Sequence, residues 1–376
     1  MSILSCMTDV PHPGEFVREE LEARGWSQRD LAYILGVPEQ AVNMITSGKR
    51  GISPDMAKAL GTAFDVSADY FANLQKAYEM VHARAPDPAI ARRAALQAAF
   101  PVREMIRRGW LVDTDIGMLE AQVMRFFRKN NLADVPYLAH AAKKSDYSET
   151  NPLQLAWLFR VRQLAGEMVV EKFDVKKLAA LADELPRYML APEEVRHMPR
   201  ALAECGVRFV VVETLPKANI DGVCFWIDEK SPVIGMTTRH DRIDNFWFVL
   251  RHEIEHVLNG DGRGELNAET VDVDLEGAED ASLPECEVKA NKAAQATCVP
   301  AAELDSFYVR KYPYIAEKDV LAFARRIQRH PGIVVGQLQR KMDRYNWLAR
   351  HKVKIRQHLA GSALVDGWGD IAPAEL

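Results

Sequence analysis

The segment His252-Glu253-Ile254-Glu255-His256 places two histidines four residues apart with a glutamate beside the first. On a helix, positions i and i+4 share a face, so both imidazoles can reach one metal ion. Glu253 lies next to that face and can take a proton from an attacking water. The flanking Phe246, Phe248, Val249, Leu250, Val257 and Leu258 suit a buried helix. A catalytic zinc takes three protein ligands and keeps one position open. The third ligand is expected from a later helix. Glu287 opens the helical run "EVKANKAAQATCVP", with Ala290, Ala294 and Cys298 along one side, while Glu285, Asp261 and Glu265 compete for the role.

A second arrangement of chemical interest lies near the N-terminus. Gln28–Leu35, the breaker Gly36-Val37-Pro38 and Glu39–Thr46 read as a helix, a short glycine-containing turn and a second helix. In that motif the second helix enters the major groove with its first residues at base edges. Gln40 and Asn43 can read adenine bidentately, and Glu39 can accept from cytosine N4. Gln28, Lys49 and Arg50 are placed to hold phosphates.

The elements that must position these residues follow from the hydrophobic pattern. Residues 1–80 read as five short helices, punctuated by Ser27, Pro38, Ser53 and Pro54 at helix starts. Residues 81–200 read as almost wholly helical, with segments at 90–100, 115–130, 152–171 and 175–181. Three β-branched runs follow, Val207–Glu213, Val223–Ile227 and Pro232–Met236, and then a helix over Ile243–Leu258. Residues 259–284 read as a polar loop; helices resume over 284–298, 301–308, 318–328 and 333–342. The expected class is α+β and mostly helical. It has a helix-turn-helix domain at 1–80, a helical middle at 81–200, a domain with a small three-stranded sheet at 201–345 and a tail at 346–376.

A length of 376 residues gives room for two or three domains, each with its own core. The net charge of −5 argues against a binder driven by phosphate attraction over the whole chain. Charge is unevenly spread. Residues 1–80 carry 7 Lys/Arg against 11 Asp/Glu, so phosphate neutralisation there is weak away from a groove-facing side. Residues 81–130 (9 Lys/Arg, 5 Asp/Glu) and 336–358 (7 Lys/Arg, 1 Asp) are basic, and read either as solvated helix faces or as nucleic-acid contacts. The stretch 259–287 carries 10 Asp/Glu and 1 Arg, a solvated surface loop or a lid over the metal cleft. The five cysteines are odd in number and lack CxxC spacing, which points to reduced thiols. With no apolar run of bilayer length and no leader-like pattern in 1–12, the expectation is a cytoplasmic protein with no membrane contact.

Two resemblances sharpen this reading. The run from 11 to 80, with "HPGE", "GKRGIS" and "YFANLQKAYE", resembles the HigA-type antitoxins of the Xre helix-turn-helix class. That resemblance implies a five-helix, homodimeric domain that binds operator DNA and often a cognate toxin. The runs "PVIGMTTRHDRIDNFWFVLRHEIEHVLNGD", "ECEVKANKAAQATCVP" and "HPGIVVGQLQ" resemble the ImmA/IrrE metallopeptidases over about 205–345. Carried over residue by residue, the family pattern makes His252, His256 and Glu287 zinc ligands and Glu253 the catalytic base and acid. Asn291 is then structural. His330 and Tyr308 are candidates to stabilise an oxyanion, and Arg239 and Arg251 read either as surface or structural ion-pair partners or as ligands of a substrate carboxylate. The function implied is a DNA-binding regulator carrying a zinc peptidase that cuts a protein. The alternative is a non-enzymatic antitoxin or repressor that uses the peptidase fold as a sensor or toxin-binding platform.

Overall fold

The computed structural model describes residues 10–131, 152–263, 270–273 and 284–367. The chain divides into two compact units, Met1–Pro88 and Ala89–Leu376.

The first unit is a bundle of five helices: α1 (Pro13–Arg24), α2 (Gln28–Leu35), α3 (Glu39–Thr46), α4 (Pro54–Phe64) and α5 (Ala68–His82). Each is too short to persist alone in water, so caps and packing hold it. Ser27 and Asp30 cap α2 reciprocally, Ser53 caps α4 and Ser67 caps α5. Gly36 ends α2 in the left-handed region at φ +66°, where a Cβ would be strained. One apolar face from each helix meets in a core of Val17, Leu21, Leu31, Val42, Ile45, Leu60, Phe64 and Phe71. The buried Gln75 carboxamide on α5 accepts from the Ile52 amide at 2.8 Å and so fixes the loop after α3.

The second unit is built on a mixed sheet of five strands: β1 (Arg208–Val212), β2 (Ile220–Trp226), β3 (Pro232–Met236), β4 (Thr270–Val273) and β5 (Leu364–Asp366). Their order is β4-β2-β3-β1-β5. β1 is parallel to β3 and β5, while β2 is antiparallel to β3 and β4. The expectation of three strands is corrected here. β4 lies inside the acidic stretch read as a loop, and β5 is three residues long in the tail; both take a strand's conformation by adding to edges that β2 and β1 offer.

Both faces of the sheet are covered, which explains why its central strands are continuous apolar runs rather than alternating ones. Val210 and Val212 point to one side and pack on α9 (Pro152–Glu167) together with α6 (Pro88–Ala99), α7 (Val102–Arg107) and α8 (Ile116–Phe126). Phe209 and Val211 point to the other side, towards α10 (Val175–Glu184), α11 (Met198–Glu204), α12 (Ile243–Asn259), α14 (Ala301–Lys311), α15 (Glu317–Arg326) and α16 (Pro331–Met342). Helices from the stretch read as a separate middle region thus form one of the two layers that bury this sheet. Asp366 on β5 is fully buried. It pairs with Arg160 of α9 and accepts from the Trp110 indole at 3.2 Å, tying the last strand to that layer. Among the described residues no helix is long and apolar enough to cross a membrane, and Cys205, Cys224, Cys286 and Cys298 are free thiols.

Candidate metal centre and nucleic-acid interface

Helix α12 runs across the sheet with Phe246, Trp247, Leu250, Ile254 and Val257 buried beneath it. The same periodicity carries His252 and His256 inward, both fully buried. Helix α13 (Glu285–Cys298) lies alongside, and buries Glu287, Ala290, Asn291, Ala294 and Cys298 on one side. Two residues apart on a helix means nearly opposite faces. Glu287 therefore turns in and Glu285 is left exposed.

Three donor atoms converge between the helices. His252 Nε2 and His256 Nε2 are 2.9 Å apart, and Glu287 Oε2 lies 3.3 Å from the first and 3.7 Å from the second. Tetrahedral zinc with ligands at about 2.0–2.1 Å has ligand–ligand edges of roughly 3.3 Å, so the observed triangle has the size such an ion requires. This trio is the metal-capable group found among the described residues.

The tautomers support the same conclusion. His256 Nδ1 faces Asp261 Oδ2 at 2.8 Å, and a carboxylate only accepts, so the ring proton sits on Nδ1. His252 Nδ1 faces Asn291 Oδ1 at 3.1 Å, with the same consequence. The two Nε2 atoms and the Glu287 carboxylate then face one another, an arrangement that calls for a positive charge, either a metal ion among them or a proton on His256. The electrostatics express that demand. Burial opposes a charge on His256. Hydrogen bonds to Asp261 and Glu287, and the nearby charges of Glu253 and Glu287, outweigh it and push the imidazole up from 6.5 to about 11. Burial also works against an ionised Glu287, yet the two imidazoles hold its carboxyl well below the usual carboxylate range. The three residues could hold a metal ion.

Glu253 is fully buried next to this trio and points at β2. A Cβ on Gly222 would come 2.5 Å from Glu253 Oε1 and 2.7 Å from Val249 Cγ1. Only a strand residue without a side chain leaves room for that carboxylate. A bulge in the β2–β4 pairing between Ile220 and Gly222 turns Ile220 away from α12 and Gly222 towards it.

In the first unit, α2, the turn at Gly36 and α3 form the expected pair of helices. Glu39, Gln40 and Asn43 are exposed on α3. Asn43 Nδ2 donates to Gln28 Oε1 at 3.2 Å, so the two amides share one surface. Lys49 and Arg50 are exposed in the next loop, where both amides donate to the Met44 carbonyl at 2.9 and 3.0 Å.

A family model described as helix-turn-helix matches residues 17–71. Virulence-associated protein I of Dichelobacter nodosus is 39% identical over 83 residues, 21% of this chain and 77% of that protein. The chain belongs to the helix-turn-helix family. Virulence-associated protein A′ of the same organism is 36% identical over 75 residues, 20% of this chain and 65% of the relative. An uncharacterized HTH-type transcriptional regulator of Escherichia coli K12, YddM, is 27% identical over 77 residues, 20% of this chain and 82% of the relative. All three likenesses concern about a fifth of the chain.

The other residues singled out from the sequence lie as follows in this helix-turn-helix protein. Asp261 orients His256 from beyond the helix end. Glu265 and most of the acidic stretch lie outside the described residues. His330 caps α16, its Nδ1 accepting from the Gly332 amide at 3.1 Å. Tyr308 stacks on Tyr312 at 4.8 Å, with Lys341 5.2 Å above its ring. Arg239 pairs with Asp221 at 3.2 Å and donates to Asn219 at 3.1 Å. Arg251 pairs with Glu255 at 2.9 Å. Some cations of the basic stretches are engaged within the second unit, in pairs such as Arg92–Glu120, Arg107–Glu104, Lys341–Asp305 and Arg356–Glu213. Asp261 as an orienting residue and Gly222 as a cavity-maker were not read from the sequence. A glycine inside a strand pattern was the available signal for the second.

Proposed function

We propose that this protein is a DNA-binding transcriptional regulator of the antitoxin kind, whose second unit is a zinc-dependent peptidase acting on a protein. The observation that carries the peptidase reading is the buried convergence of His252, His256 and Glu287 beside the carboxylate of Glu253. Bound zinc supplies a Lewis acid that polarises the scissile carbonyl and makes water acidic enough to be deprotonated near neutral pH. His252, His256 and Glu287 hold it. Asp261 and Asn291 keep the two imidazoles in the tautomer that presents Nε2. Glu253 takes the proton of the attacking water and delivers it to the leaving amine. In the first unit, α3 enters the major groove of an operator as part of a homodimer. Gln40 and Asn43 meet base edges, with Glu39 at the groove entrance. Gln28, Lys49 and Arg50 contact phosphates.

The test pairs two variants. His252→Ala should lose bound zinc, read by metal analysis. Glu253→Gln should keep zinc but lose cleavage of candidate proteins, such as a repressor, a cognate toxin or the chain itself. Operator binding in a shift assay on the chain's own promoter should survive both. A wild-type protein that takes up no zinc overturns the peptidase reading. Cleavage undiminished in Glu253→Gln overturns the role of that residue.

A further inference from the structure

Asp261 reaches His256 from a loop that has glycine on both sides. After α12 the chain turns through Gly260 and Gly262, both left-handed at φ +73° and +72°. Glycine gives such a loop more backbone freedom than any other residue, so something outside it must fix where Asp261 stands. The β2–β3 hairpin does so at two points. The Trp226 indole Nε1 donates to the Asp261 carbonyl at 3.0 Å. Two residues on, Arg263 Nε donates to the Glu229 carbonyl at 2.8 Å. Trp226 ends β2, and Glu229 lies in the turn that leads to β3. The carboxylate of the residue clamped in this way accepts from His256 Nδ1 at 2.8 Å.

Trp226 has little freedom of its own. It is 4% exposed. The Phe173 ring meets it edge-on with centroids 5.3 Å apart, and the Arg263 guanidinium lies 5.3 Å from its centroid. An aromatic edge and a cation together hold the ring, and the indole N–H, a donor only, is aimed at one carbonyl. The same strand serves Glu253. Gly222, Cys224 and Trp226 alternate onto the face of β2 turned towards α12. Gly222 leaves room for the Glu253 carboxylate, and Trp226 holds the Asp261 backbone. The strand advances about 13 Å between them. Cys224 stands midway and is fully buried; burial and the nearby Glu253 and Asp261 carboxylates push its thiol up. One rigid strand thus sets the places of two acids that flank the three ligand atoms.

We propose that Trp226 is a positioning residue of the metal centre. Through the Asp261 carbonyl it sets the Asp261 carboxylate on His256, and so tightens the hold of His252, His256 and Glu287 on zinc. The inference rests on the zinc-site reading given above. Zinc affinity is measured by competition with a chelating dye for the wild type, Trp226→Phe, Asp261→Ala and the double variant. Trp226→Phe keeps an aromatic ring in the core and removes the N–H. Loss of one such hydrogen bond should weaken zinc about 3–10-fold. In the Asp261→Ala background the same substitution should change affinity by less than about 2-fold, because no carboxylate remains to be placed. A tryptophan that only fills space would weaken zinc equally in both backgrounds. A spectroscopic readout stands beside this. In isotope-labelled protein, the indole resonance lost in Trp226→Phe should shift when zinc is added to the wild type and stay in place in Asp261→Ala. Arg263→Ala carries the same comparison without touching the core, since Arg263 is exposed. Freeing the ring from its cation should weaken zinc about 2–5-fold, again only where Asp261 is present. Equal losses in both backgrounds, or an indole resonance that zinc leaves unmoved in the wild type, overturn the role of Trp226 while the metal centre stands. A wild-type protein that takes up no zinc overturns the metal centre and this role with it.

Discussion

Gly222→Ala tests the geometry around Glu253 without touching a titratable or metal-ligating group. In an ordinary strand, replacing glycine with alanine stabilises by about 0.4–1 kcal/mol, because the unfolded chain loses freedom. Here the new methyl would sit 2.5 Å from Glu253 Oε1 and 2.7 Å from Val249 Cγ1, against ordinary contacts of about 3.5 Å or more. Both neighbours are buried, so relief requires a shift of up to about 1 Å in a close-packed layer. Overpacking of that kind costs about 1–3 kcal/mol. The sign therefore reverses, to a net loss of about 1–2 kcal/mol. Urea unfolding of zinc-loaded protein measures it as a lowered midpoint at unchanged slope. Zinc stoichiometry should hold, since the methyl meets none of the three ligand atoms. Cleavage should fall by about 100-fold, the usual consequence of a 1 Å misplacement of a reacting group. Val249→Ala removes one of the two crowding atoms, so the double variant should be less destabilised than the sum of the singles by about 0.5 kcal/mol or more. A Gly222→Ala protein as stable as the wild type and equally active would refute the placement of Glu253 beneath β2.

Three further outcomes are expected. Asp261→Ala should weaken zinc affinity about 10–100-fold by freeing the His256 ring, measured by competition with a chelating dye; unchanged affinity removes Asp261 from the site. The protein stripped of metal should be pH-dependent in a defined direction. His256 is raised from 6.5 to about 11, so its stabilisation is complete below about 6.5 and is lost as pH rises through about 11; Glu287 is depressed below 4.5, so its contribution is present above that value and is lost as pH falls. Thermal melts across pH should therefore show the stripped protein losing stability from neutral to alkaline pH while the zinc-loaded form does not, and parallel curves would contradict the assignment. Asn43→Ala should relax operator specificity at one base pair by about 1–3 kcal/mol in competition shift assays, whereas loss spread evenly over all sequences would assign Asn43 to the backbone.

Much of the site was legible because it is helical and local. The His252/His256 spacing and the inward side of α13 both follow from 3.6 residues per turn, and that period separates Glu287 from Glu285. Asp261 was legible as a candidate acid but not in its role. Its carboxylate returns to His256 only because Gly260 takes φ +73° and the Asp261 amide folds back to the His256 carbonyl at 3.0 Å. The sheet was half legible. β1 and β3 carry β-branched runs, whereas "TVDV" and "LVD" become β4 and β5 through edges supplied by distant segments. The helical layer of α6–α9 belonged to the same lesson. A strand reading "RFVVV" is apolar on both faces and needs two covers, which makes the helices before it part of its core.

The first unit is acidic overall, and help from the basic stretches behind it was the natural remedy. In the structure Arg92, Arg107, Lys341 and Arg356 each pair with a carboxylate inside the second unit, and Arg108 is buried with its guanidinium on the Glu213 and Thr214 carbonyls. Cations spent in this way are poor phosphate ligands. On the proposed reading, DNA affinity is expected to rest on α2, α3 and the loop after them, where Lys49 and Arg50 are exposed, as is Arg29. Two phosphate contacts per head give a log–log salt slope of roughly −2, and about −4 for a two-headed complex, at −0.9 per contact. Shift assays from low to physiological salt read that slope directly. A slope steeper than about −6 would mean that the second unit also grips DNA. A shallow slope with strong sequence preference is what an acidic head that reads base edges through Gln40 and Asn43 should show.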